Sequence, residues 1–330
     1  MKWQHRMAAP LFSMALMPAV ALAQESPQDS QQARFTGPLI TSNPAAYTPG
    51  HFYLQPYLIN TRQRGYYDGQ GNRLGLGEHG SDLQLSLLAG YGINERLTGQ
   101  LSLSAGRARI GQQRADGLRF GDSTLKLNYV LRPRAASTGD MVISTQVSQT
   151  LVTGSYDELG GNALNGRGNG ARRTALSLVG QQWLPMSSGH TLRWRWQVGW
   201  SPSPGRVDVE GTSVFGTGHA FRGAMHHGSN TSAAVGFEYS LSPDWALALD
   251  VTASRDGRAV LQGCHAPAQG RCVQGQRRAD PRSRSFGAAP AIEYIHSDRV
   301  GFLLGAELSL PGGRNSASFV SPQFSAMLTF

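Results

Sequence analysis

TLRWRWQVGW, residues 191–200, alternates large apolar side chains with charged or polar ones. In an extended chain successive side chains point to opposite faces. Leu192, Trp194, Trp196, Val198 and Trp200 therefore share one face, and Thr191, Arg193, Arg195, Gln197 and Gly199 share the other. A soluble sandwich would bury the tryptophans and hydrate the arginines, whereas a membrane barrel would turn the tryptophans to lipid and the arginines to a wet lumen. The neighbouring sequence decides between these two solvents.

The same period of two recurs along the chain. Leu83, Leu85, Leu87, Ala89 and Tyr91 form one apolar row, as do Leu97, Leu101, Leu103 and Ala105, and Leu125, Leu127, Tyr129 and Leu131. Ala233, Val235, Phe237, Tyr239 and Leu241 form another, followed by Trp245, Leu247, Leu249 and Val251. Further alternation covers 52–60, 141–152, 172–183, 285–296, 300–310 and 320–330, which makes about twelve strands. Their connections sort by parity. Turns such as 92–95, 242–243 and 297–299 are short, while 61–82, 107–118, 153–171, 201–230 and 256–284 are long, with 311–318 a short exception in that set. Tight turns at one end and long loops at the other are the signature of an all-β, transmembrane, antiparallel up-and-down barrel with periplasmic turns and extracellular loops. The strands approach the length of about 9–11 residues that a tilted spanning strand needs. No charged residue interrupts an apolar row in mid-strand, and Tyr91, Tyr129, Trp183, Trp245 and Tyr294 fall near the turn ends, where an aromatic girdle is expected.

Residues 1–23 combine Lys2, His5 and Arg6, the apolar run Leu11–Leu22 and the small-x-small ending Ala21-Leu22-Ala23. This is the pattern of a cleaved secretory signal, and the apolar run is too short for a spanning helix, which needs roughly 20 residues. Residues 24–50, rich in Gln, Ser and Pro, have no period and are expected to be a periplasmic lead or a plug in the lumen. The barrel is assigned to 51–330. Lys plus Arg number 30 against 21 Asp plus Glu. In an exported chain that excess points to phosphorylated lipid and lipopolysaccharide rather than nucleic acid. The localisation expected is the outer membrane of a Gram-negative cell.

Register predicts that Arg193 faces Glu238 across the ladder. Arg195, Lys126, Asp250, Glu293 and Glu307 share the inward parity, a mixed-sign set that could bind the interior together or line a constriction for a permeant solute. Gly287, Ala289, Ala291, Gly301 and Gly305 would leave one inner wall smooth.

Four other groups could carry chemistry. His227-Gly228-Ser229-Asn230 places an imidazole and a hydroxyl on one face and resembles the H-x-S-N string of outer-membrane phospholipase A, which would imply lipid hydrolysis. The other segments of that phospholipase are missing, and the expectation is that the chain is not an enzyme. His219, His226, His227 and His265 lack the spacing of a metal site, and Gly166, Gly168 and Gly170 lack the strand and helix of a phosphate loop, so no cofactor is expected. Cys264 and Cys272, within one long loop of an exported chain, are expected to form a disulfide.

GPLITSNPAAYTPGHFYLQPYLI, YGINERLTGQLSLS, GDSTLKLNYVL, LVTGSYDELGG, FEYSLSPDWALALDV and SPQFSAMLTF, in that order between residues 37 and 330, resemble the outer-membrane family named for the meta-pathway of phenol degradation. Val152 stands where that family usually carries a proline near Thr153-Gly154. The resemblance implies a barrel that passes small, often aromatic or otherwise hydrophobic, molecules into the periplasm, and it transfers no catalytic residue. Phe330 is similar to the C-terminal aromatic by which barrel-assembly machinery engages such proteins. The function expected is passive uptake of a small-molecule solute, with lipid hydrolysis or a structural or adhesive role of the long loops as alternatives.

Overall fold

The computed structural model describes residues 34–133, 139–265 and 274–330. The expected leader 1–23, and the stretch from there to residue 33, lie outside the described residues. Twelve antiparallel strands form the wall: β1 Phe52–Tyr67, β2 Gly80–Gly92, β3 Leu97–Ile110, β4 Ser123–Arg132, β5 Val142–Leu151, β6 Thr174–Pro185, β7 Thr191–Ser201, β8 Asn230–Ser240, β9 Trp245–Asp256, β10 Ser283–Ser297, β11 Val300–Ser309 and β12 Ser316–Thr329. Each pairs with its neighbours in chain order, and β12 pairs back onto β1, so the wall has no free edge. Closure satisfies the backbone in lipid, which an open sheet cannot do.

The alternation seen in the sequence is the alternation of the wall. Leu83, Leu85, Leu125, Leu127, Leu247, Leu249, Val251 and Leu304 are exposed on the outside, and Gln55, Gln100, Asn128, Gln146, Gln181 and Gln197 are buried within. An oily exterior around a polar interior inverts the arrangement of a soluble sandwich and matches a barrel in lipid. Trp196 covers Gly180 on the outer face, where an added Cβ would come within 2.3 Å of the indole. Tyr91, Tyr129 and Trp245 are exposed near the periplasmic turns as a girdle requires. Trp183 departs from that expectation. It pairs with Arg193 in the β6–β7 ladder and its ring lies against the inward-facing Arg193 guanidinium, so it belongs to the lumen.

Two of the long loops are not irregular. Arg206–Glu210, Phe221–His226, Ala259–His265 and Gln274–Asp280 pair into a second, four-stranded antiparallel sheet beyond the extracellular rim. It continues the β8–β9 hairpin, with the two chains crossing at Gly228 and Gly257. A Cβ on Gly228 would meet Gly257 at 2.4 Å, so only glycine permits that approach. One face of this sheet buries Val207, Val209, Phe221, Met225 and Leu261 against Leu159, Val214 and Phe215, giving the loops a small core of their own. The expected Cys264–Cys272 disulfide is not supported. Cys264 stands opposite Gly275 in the ladder Ala259–His265/Gln274–Asp280, no disulfide exists among the described residues, and Cys272 lies outside them.

Candidate functional site: the barrel lumen

The charged centre of the lumen is built on β7 and β8. Arg193 and Glu238 are directly opposed, as the register predicted, and both are almost wholly buried. Arg193 Nε donates to Glu238 Oε2 at 2.7 Å and its Nη2 donates to Oε1, the two-pronged geometry in which a guanidinium holds a carboxylate most strongly. Arg195, one pleat further along, places Nε 3.5 Å from the same carboxylate and donates to Gln181 Oε1 at 2.8 Å. The Arg193 guanidinium also lies 4.6 Å from the ring centroid of Phe35 and 4.9 Å from that of Trp183. Two arginines thus share one carboxylate in a site closed to water, an arrangement that collapses if the acid is lost.

Residues 34–50 run through this space. Arg34 is anchored between Asp244 and Asp298, each at 2.6 Å, in two periplasmic turns. Beyond it, Glu293 on β10 accepts from the amides of Thr36 and Gly37 and from the Thr36 hydroxyl. Asp250 on β9 accepts from Ile40 N at 3.0 Å, Thr41 N at 3.0 Å and Thr41 Oγ1 at 2.6 Å. Ser42 N donates to Gln197 on β7, Asn128 on β4 donates to the Pro44 carbonyl, and Tyr47 N donates to Thr98 on β3. Gly50 N then bonds Gly92 O at the periplasmic end of β2. The segment crosses the bore from β10 to β2, making a bond to most of the strands it passes. Its apolar side chains are accommodated by the smooth wall. Leu39 and Ile40 pack on Ala248, Ala289, Ala291 and Leu303, and a Cβ on Gly301 or Gly305 would meet Thr36 or Leu39 at 2.4 and 2.7 Å.

The structure therefore brings together Arg193, Arg195, Glu238, Asp250 and Glu293 around one segment. Lys126 and Glu307 stand apart: Lys126 has Gln100 and Ser148 as ladder neighbours, Glu307 has Ser321, and neither forms an ion pair among the described residues. Two features escaped sequence reading, the role of Asp250 and Glu293 as acceptors for backbone amides and the lumenal position of Phe35. A retrospective signal exists in the run from Thr36 to Ala46, which contains no charge and, apart from Leu39 and Ile40, only small or polar residues and proline, and so matches a narrow polar bore.

His227 and Asn230 of the H-x-S-N string have partners other than Ser229. The His227 ring lies 3.3 Å from the Asn169 carbonyl and packs against Phe215, while Asn230 is held by Asp256 at 2.8 Å. Burial, reinforced by the charge of Arg173, lowers the affinity of His227 for a proton. No hydrogen bond joins His227 to Ser229 among the described residues, so the contact by which an imidazole would take the serine proton is not made in this structure.

No protein-family model matches the chain, and no curated protein matches it. Among solved structures, an outer-membrane channel from Pseudomonas putida F1 is similar at TM-score 0.61 and 15% identity, over 87% of this chain and 98% of that one. The transport unit of the Escherichia coli autotransporter AIDA-I (TM-score 0.47, 8% identity, 85% and 91% covered) and a deletion mutant of the TodX monoaromatic hydrocarbon channel (0.42, 10%, 96% and 97%) are more distant. The chain shares the twelve-stranded fold of an outer-membrane barrel.

Proposed function

We propose that the protein is an outer-membrane channel for passive uptake of small molecules, with residues 34–50 acting as a plug that must shift before solute passes. The observation that carries this reading is the path of the segment. It occupies a polar bore through hydrogen bonds to wall side chains, without adding a strand to the sheet, so it can leave while the wall stays intact. Once it has left, Asp250, Glu293, Arg195 and the Arg193–Glu238 pair would line the constriction, with Lys126 and Glu307 on the adjoining wall. Small aromatic or hydrophobic solutes are the class favoured by the family resemblance. A route through the wall has one supporting observation: the β10–β11 ladder lacks its pairs at Ala289 and Pro290, since proline has no amide hydrogen to donate.

The test is single-channel conductance of the refolded barrel against a deletion of residues 24–48. Small or flickering current that becomes large and steady on deletion is the expected result. Absence of current and of solute flux in both forms would sink the channel reading.

A further inference from the structure

The outer face of the wall changes character abruptly at its extracellular end. Arg255 on β9 and Arg284 on β10 are direct cross-strand partners, and Arg284 exchanges both backbone hydrogen bonds with Arg314, at 2.9 and 3.0 Å. Three arginines thus stand side by side across adjacent segments, all exposed, with Arg258 and Arg282 just beyond them. Like charges placed directly opposite in a sheet repel. No ion pair relieves them among the described residues. The nearest ladder carboxylate, Asp256, has the inward parity and accepts from Asn230 and Ser283 at 2.8 Å each. The Arg284 guanidinium reaches only a carbonyl, that of Gly312, and lies 5.9 Å from the Phe286 ring centroid.

The height of this row is informative. Arg255 lies ten residues along β9 from Trp245, a member of the periplasmic girdle, with only uncharged residues of the outward parity between them: Leu247, Leu249, Val251 and Ala253. At about 3.3 Å per residue and a tilt of about 40°, ten residues rise roughly 25 Å along the membrane normal, which is the height of a barrel's apolar band. The arginine row therefore sits at the outer-leaflet headgroups. It also borders an open hollow of about 1690 Å³, lined by Ser229, Ser232, Ser254 and Ser283 and, from the outward-facing rows and the extracellular sheet, by Ala233, Ala253, Phe286 and Val260. The Ala253–Phe286 pair lies one pleat below the Arg255–Arg284 pair on the outward face, and apolar side chains under a row of guanidiniums that make no ion pair suit an amphiphile with a phosphorylated head and acyl chains.

From this geometry we propose that Arg255, Arg284 and Arg314 form a binding site for the phosphorylated glycolipid of the outer leaflet, with the guanidinium forks on its phosphates and an acyl chain against Phe286 and Ala253. Guanidinium suits the task because its planar donors match phosphate oxygens in pairs. The site lies on the outer wall and stands whether or not the lumen conducts.

The test is native mass spectrometry of the detergent-solubilised mature barrel titrated with bis-phosphorylated lipid A, dephosphorylated lipid A and inorganic phosphate. Wild-type protein should retain bis-phosphorylated lipid A. The triple variant Arg255→Gln/Arg284→Gln/Arg314→Gln should bind it at least about tenfold more weakly, the loss of three exposed charge contacts being worth a decade or more. The triple lysine variant should fall between the two. Preserved heat-modifiable migration on gels establishes that each variant is folded. Equal binding by the triple glutamine variant, or equal binding of dephosphorylated lipid A, would overturn the proposal. Displacement of the lipid by millimolar inorganic phosphate would also overturn it, in favour of a free-anion site.

Discussion

Replacing Asp250 by Asn changes one atom in the contact that holds residues 40 and 41 in the bore. The asparagine carbonyl can still accept from Thr41, whereas its amide nitrogen would confront the Ile40 amide, donor against donor. One charge-assisted bond is lost, about 1.5–3 kcal/mol, and the two that remain fall to roughly half their strength. Even the lower end of that sum, about 3 kcal/mol, corresponds to a shift of about a hundredfold or more in the equilibrium between seated and displaced segment. Glu293→Gln acts in the same sense on Thr36 and Gly37 but more weakly, because all three of its bonds converge on Oε2 and a glutamine carbonyl can keep them at reduced strength. Open-time fractions in planar bilayers should rise by this order in Asp250→Asn, less in Glu293→Gln and furthest in the double variant, toward the ceiling set by deletion of residues 24–48. Unchanged open fractions in all three variants, with the deletion fully open, would refute the view that these carboxylates hold the segment.

Glu238→Gln should destabilise the folded barrel by about 3–5 kcal/mol, because Arg193 and Arg195 would remain buried without their shared anion, read as a shift in the urea midpoint. The same substitution in the 24–48 deletion should cost far less, since water could then reach both guanidiniums. Gly301→Val should displace the segment without touching a charge, as its Cβ alone would overlap Thr36 Cγ2 at 2.4 Å; larger conductance with an unaltered urea midpoint is the expected pair of readouts. For His227, burial holds the folded-state affinity for a proton below the usual value of 6.5, so the unfolded loop takes up a proton first and stability is lost as pH falls below that value. Proteolysis of the loop 153–171 should therefore be faster at pH 5 than at pH 7, and His227→Gln should flatten that dependence.

The wall was legible in the sequence because its physics is local. A period of two needs only neighbouring residues, and loop lengths sorted by parity need only counting. The opposition of Arg193 and Glu238 followed from the same register. Other features depend on partners far along the chain. The bonds from Thr36 to Glu293 and from Thr41 to Asp250 join residues more than two hundred positions apart, and their donors are mainly backbone amides, which every sequence has. Trp183 was misplaced by one residue of phase at a strand end, where a single step exchanges lipid for lumen. The extracellular sheet was hidden because Arg206–Glu210 and Gln274–Asp280 are short and charged, and acquire strand geometry only against Phe221–His226 and Ala259–His265.

The seam between the first and last strands sets an order of events for assembly. The Phe52 and Phe330 backbones bond each other in both directions, so the ring cannot close fully until Phe330 has been delivered. Residues 34–50 are continuous with β1 and occupy the bore that this closure creates. The segment must either wait inside the curling sheet or thread back through a finished opening. The first route lets a growing barrel fold around an internal template, and it would make the seam slower to form when the template is absent.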